Sequence, residues 1–192
     1  SLPRSARGAD PTVATLTSPV ATDAPTGRRV GRSALLFVVA VCAACGLVYE
    51  LALVATGSYL VGSSITQTSL VLGVALASMG IGALVAKRLI GRPAAGFVAV
   101  ELVLGVVGAF CVPALYTAFA WLGLYTPALL VAAVGVGTLI GAEIPLLMAL
   151  IGRLGDDDPA FVVADMSAAD YVGALAGGLV FPFLLLPVFG LL

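Results

Sequence analysis

Five uninterrupted apolar runs set the terms for anything this 192-residue chain can fold into. They cover about 33–60, 69–89, 96–123, 127–154 and 160–192, and each exceeds the roughly 20 residues that carry a helix across a hydrocarbon core. No water is available there to bond an open backbone, and a helix satisfies its N–H and C=O groups within one segment. Composition agrees, with 61% hydrophobic and 10% charged residues, against roughly 45–50% and 25% in soluble domains. A soluble core could not bury so much apolar surface and still present a wettable exterior. The expected fold is all-α, a polytopic transmembrane bundle of about five spans.

Residues 1–32 are rich in Ala, Thr, Pro, Arg and Asp with no hydrophobic period, and read as a disordered tail ahead of a helical domain over 33–192. Every basic residue falls on one side of the expected spans. Arg4, Arg7, Arg28, Arg29 and Arg32 precede the first, Lys87, Arg88 and Arg92 follow the second, and Arg153 follows the fourth. The positive-inside rule makes that side, and the N-terminus, cytoplasmic. The polar turn Gly62–Ser69 is expected to cap the second helix through Thr66 or Thr68. Pro113 is an expected kink, and Asp156, Asp157 and Asp158 are expected to be solvated loop charges. The chain opens on Ser1 and ends at Leu192 within an apolar run, so it is expected to be cut from a longer protein.

Several function classes are excluded. A net charge of −1 leaves no basic footprint for nucleic acid. Histidine is absent, which removes the commonest general base and metal ligand. Cys42 and Cys45 have redox spacing, but with no second pair they read, like Cys111, as small packing residues. No catalytic residue, metal site or cofactor is therefore expected.

Five carboxylates remain in or near the spans, namely Glu50, Glu101, Glu143, Asp165 and Asp170. A charge at the centre of a bilayer costs about 2.5–3.5 kcal/mol on insertion scales, and the only Lys or Arg within the spans, Lys87, Arg88 and Arg153, stand at their very ends, too far out to offset it. Protons, water, hydroxyl partners such as Tyr49 and Tyr171, or a bound cation must do so. A rise of about 1.5 Å per residue places Glu50 in the outer half. The same rise lets Glu101, Glu143 and Asp170 converge on one inner cavity, with Asp165 at its mouth. Glu50, Glu101, Glu143, Asp170, Tyr49 and Tyr171 are thus the candidate ligand-binding residues. Small residues at Gly73, Gly80 and Gly82, at Gly135, Gly137 and Gly141, and in the Gly173–Gly177 G-x-x-x-G face suit close helix contact.

Gly82 to Arg92 is similar to the loop between the second and third helices of major-facilitator transporters, without that motif's Asp before Lys87-Arg88. A wider set of segments resembles the membrane domain of bacterial spermidine-synthase-like proteins, the major-facilitator/spermidine-synthase fusion type. They are Cys45-Gly-Leu-Val-Tyr-Glu50-Leu51, Gly62-Ser-Ser-Ile-Thr-Gln67, Met79-Gly-Ile-Gly-Ala-Leu84, Val100-Glu-Leu-Val-Leu-Gly105, Ile140-Gly-Ala-Glu-Ile-Pro-Leu-Leu147 and Asp170 through Pro182. The resemblance implies a parent of about seven helices in a bacterial cytoplasmic (inner) membrane, with a cytoplasmic aminopropyltransferase domain after them. That domain would bind decarboxylated S-adenosylmethionine through a Gly-rich turn, and no such turn occurs here. The chain by itself is therefore expected to be a non-catalytic anchor in the lipid bilayer that binds or passes a polyamine or other small cation through its acids. Two alternatives stand beside it. One is a proton-coupled small-molecule transporter domain, and the other a structural anchor whose Gly faces make homo-oligomers.

Overall fold

The computed structural model describes residues 26–62, 65–153 and 159–190, and among them every regular element is helical. The helices are α1 (Thr26–Val61), α2 (Ile65–Ala86), α3 (Pro93–Thr117), α4 (Tyr125–Gly152), α5 (Pro159–Val180) and the short α6 (Leu186–Phe189). Within them lie five stretches long and apolar enough to cross a membrane: Val30–Leu60, Ile65–Ala86, Pro93–Leu122, Tyr125–Gly152 and Ala160–Phe189. Each begins or ends within a few residues of its expected position. The first 25 residues of the expected tail, together with Asp156 to Asp158, lie outside the described residues.

Two boundaries differ in an instructive way. α2 starts at Ile65, so Thr66 and Thr68 stand inside its first turn instead of capping it. α3 runs through Pro113 without ending, and Thr117 Oγ1 donates to the Pro113 and Ala114 carbonyls at 2.7 and 3.0 Å. The helix then widens into a π-turn over Ala118–Leu122, and Gly123 (φ 61°) closes it in the left-handed region that favours glycine. A second π-turn, Phe181–Leu185, surrounds Pro182, where Leu186 N–H donates to Phe181 O. Proline has no N–H to give the preceding turn, and the wider loop is one way of absorbing that loss.

α4 is the central helix. It packs on α1, α2, α3 and α5, with α2 making the broadest contact, while α1 and α3 touch each other only sparsely. Small residues set the distances. A Cβ at Gly82 would fall in the backbone of Thr138, one at Gly141 in that of Met79, and one at Gly137 would stand 2.6 Å from Ala75 O. The Gly173–Gly177 face is buried in the same manner against Ala40 and Ala44 of α1. That is the helix contact expected of it, and a face filled by α1 is not open to a second copy, the alternative use.

Outside these seams the surface is apolar. Phe37, Phe110, Trp121, Val131, Phe161 and Phe183 are among many large hydrophobic residues with most of their area exposed. Such a surface suits a lipid solvent. The described basic side chains gather at one end of the bundle. Arg153 donates to the carbonyls of Ile90 and Gly91 in the α2–α3 turn, and Arg32 pairs with Asp165 at 2.6 Å where α1 meets α5. Val39, Leu147, Ile151, Val162 and Met166 form the apolar cluster beneath that end.

The backbone seam makes a sharp prediction. Gly141→Ala should destabilise the bundle by about 1–3 kcal/mol, as overpacking does, because the methyl group meets Met79 backbone that cannot swing away. Gly135→Ala meets nothing within 4 Å and should change stability by less than about 0.5 kcal/mol. Loss of helicity in a denaturing-detergent titration measures both.

Candidate functional site

Three helices deliver the site. Cys42 lies on α1, Glu101 on α3 and Glu143 on α4. Glu143 stands nine residues before the end of α4 at Gly152, which at a rise of about 1.5 Å puts it about 14 Å from that end. That is close to mid-depth in a hydrocarbon core about 30 Å thick. Cys42 Sγ–H donates to Glu101 Oε1 at 3.0 Å, and one ligand atom from each of the three residues lies within 4.8 Å of the others.

Glu143 is 3% exposed, and its Oε1 is buried with no hydrogen-bond partner. Burying an ionised carboxylate without a counter-charge costs several kcal/mol. A proton, or a cation entering from the cavity that the residue lines, has to supply the balance. That cavity, about 310 Å³, sits between α1 and α3 against α4. Phe37, Phe97 and Leu104 supply apolar wall, while Cys42, Cys45, Tyr49, Glu101 and Glu143 bring the polar atoms. Tyr49 lies against Gly108 of α3, where any side chain would occupy the space of its ring.

The expected convergence of acids is met in part. Glu101 and Glu143 share the cavity, and Tyr49 lines it. Asp170 does not. It lines a separate cavity of about 120 Å³ with Ser167, Met148 and Tyr171, the last mostly exposed. The reason is rotational: Glu143 and Ile144 are neighbours on α4 and point about 100° apart around it, one into each cavity. Asp165 is engaged by Arg32 at the basic end instead of at the mouth of the cavity. Glu50 Oε1 is buried without a partner, yet Glu50 does not line the cavity.

Two groups escaped the sequence reading. Cys42 was expected to be packing only, and nothing near it in sequence signals otherwise, because its partner is 59 residues away on another helix. Toward the opposite end, Thr56 Oγ1, Gln67 Nε2 and Tyr125 OH are buried without partners. The side chains of Gln67 and Tyr125 meet beside Gly57. A hydroxyl-rich turn was legible there, but not that Gln67 points inward.

With fold and site in view, the class is a bundle of helices long and apolar enough to cross a membrane, with a partly acidic cavity at its centre. The sequence comparisons go further. The chain is 57% identical over 162 residues to polyamine aminopropyltransferase 1 of Streptomyces coelicolor, covering 84% of this chain and 30% of that protein. It is 54% identical over 174 residues to polyamine aminopropyltransferase 2 of the same organism, covering 86% and 31%. To the polyamine aminopropyltransferase of Mycobacterium tuberculosis it is 49% identical over 167 residues, covering 84% and 32%. Its homologues are thus named polyamine aminopropyltransferases, and the chain spans about a third of their length. No family model and no solved structure matches it.

The ion pair and the buried acid should respond differently to mutation. Arg32 and Asp165 are 30% and 49% exposed, so Asp165→Asn should shift the unfolding free energy by less than about 1 kcal/mol. Glu143→Gln keeps the volume and removes the ionisable group, and should unfold no earlier than the native chain. Earlier unfolding in the same detergent titration would mean that a strong partner already holds the carboxylate.

Proposed function

We propose that this chain is the membrane-embedded part of a polyamine aminopropyltransferase, anchoring the enzyme and binding an ammonium group of a polyamine, or another small cation, between Glu101 and Glu143. The observation that carries this reading is that Glu143, whose buried Oε1 has no partner, lines a cavity that Glu101 shares. The names of the homologues supply the substrate class, and their greater length leaves room for a catalytic domain. Polyamines are multivalent cations, and a cavity lined by acids with low-dielectric walls concentrates such ions. In this reading the basic end of the bundle, with the N-terminus, faces the cytoplasm of a bacterial inner membrane. The aminopropyltransferase domain of the parent protein would lie on that side.

Spermidine titrated calorimetrically into the chain in lipid nanodiscs tests the proposal. Saturable binding is expected. Glu101→Gln or Glu143→Gln should weaken it about 10–100-fold, the worth of one hydrogen bond to a charged group. Glu50→Gln should leave it unchanged, because Glu50 does not line the cavity. No binding, or equal binding by all three variants, would overturn the reading.

A further inference from the structure

We propose that Cys42, Glu101 and Glu143 form a binding site for a thiophilic divalent metal ion such as zinc. The inference goes beyond the polyamine reading and stands without it, since it uses only the geometry of three side chains. Their ligand atoms lie within 4.8 Å of one another although they come from three helices. Glu143 is 3% exposed, with one buried oxygen unpartnered, and lines the cavity. The bond from Cys42 to Glu101 accounts for two members of the group and leaves the third without a partner. An ion seated among the three accounts for all of them.

The donor set selects the metal. Zinc takes sulfur at about 2.3 Å and carboxylate oxygen at about 2.0–2.2 Å, so tetrahedral ligands stand roughly 3.4–3.6 Å apart. Closing the present group, within 4.8 Å, onto an ion shortens its longest separation by roughly an ångström. Magnesium and calcium want six or more oxygen donors and have no use for sulfur. Three protein ligands leave a fourth position open, as in zinc sites that bind an exchangeable water or substrate, and the cavity of about 310 Å³ gives it room. Cys42 binds as the thiolate, so its S–H bond breaks as the S–metal bond forms. The thiol proton is released, together with the proton that balances Glu143 in the empty site, and no oxidation state changes. The divalent charge then offsets two of the three negative charges gathered at mid-depth.

Sulfur separates this occupant from an ammonium group, which needs the carboxylates and not the thiol. Cobalt(II) chloride titrated into the 192-residue chain in nanodiscs is the probe. A near-ultraviolet thiolate-to-cobalt band and visible bands of tetrahedral cobalt are expected, saturating at one equivalent and erased by zinc but not by excess magnesium. Cys42→Ser should abolish the thiolate band, and Cys45→Ser and Cys111→Ser should keep it. Glu143→Gln should weaken cobalt binding by at least the 10–100-fold typical of outer-shell partners. A native chain without the band, or a band surviving Cys42→Ser, overturns the proposal. Should Cys42→Ser fail to fold by circular dichroism, zinc protection of Cys42 from maleimide in the native chain replaces it, read by mass spectrometry against Cys111. Equal labelling with and without zinc overturns the proposal. Spermidine titration of the metal-free native chain reports separately on the polyamine reading, which predicts saturable binding there.

Discussion

Where the surroundings are as apolar as the interior, moving a leucine from the outside of a bundle to the inside changes little, and helices must hold together by close contact. Here that contact is backbone against backbone. Gly82 and Gly141 bring α2 and α4 together so closely that a single methyl group would strike main-chain atoms, and Gly173 and Gly177 do the same for α5 on α1. Dispersion is weak per atom pair and large in sum, and the shortest helix separations gather the most pairs. α4, fastened to four neighbours, fixes the position of everything it carries.

It carries Glu143. A carboxyl group on the most enclosed helix, about two-thirds of the way along it, can neither reach the surface nor find a lysine or arginine. The two carboxylates nearest in function, Glu101 and Asp170, have the same sign. Glu101 faces it across one cavity, while Asp170 lines another on the far side of the same turn. With no basic side chain lining the cavity, charge balance at Glu143 falls to whatever enters. That is why the site invites a cation, whether an ammonium group or a metal ion.

Much of the fold was legible in the sequence, because span length and hydrophobicity are local properties. The limits of the five spans fell within a few residues of expectation, and the basic residues marked one end as the loop pattern implied. Gly82, Gly137 and Gly141 were read correctly as helix contact, whereas Gly73, Gly80 and Gly135 have no neighbour within 4 Å, and the Gly173–Gly177 face, also read as a contact, is filled by α1, which closes the alternative of a second copy. Pairing between helices is a non-local fact, and a glycine face does not name its partner. The site shows the same division. Glu101 and Glu143 were singled out because a charge in an apolar run is visible in one dimension. Cys42 was not, because a thiol in an apolar run is unremarkable until the fold sets it beside a carboxylate. Asp170 was misplaced by rotation, since depth follows from residue number but the direction a side chain faces depends on how its helix is turned.

The sparse contact between α1 and α3 has a mechanical consequence. Each is secured to α4, and α1 also to α5, while the cavity occupies the interval between them. Spreading that interval would leave both backbone seams intact and would have to break the Cys42–Glu101 hydrogen bond and lift the Tyr49 ring from Gly108. A guest arriving sideways, from the plane of the bilayer, would meet the thinly packed seam that these two contacts hold, with Phe37 and the exposed Cys45 on the way in.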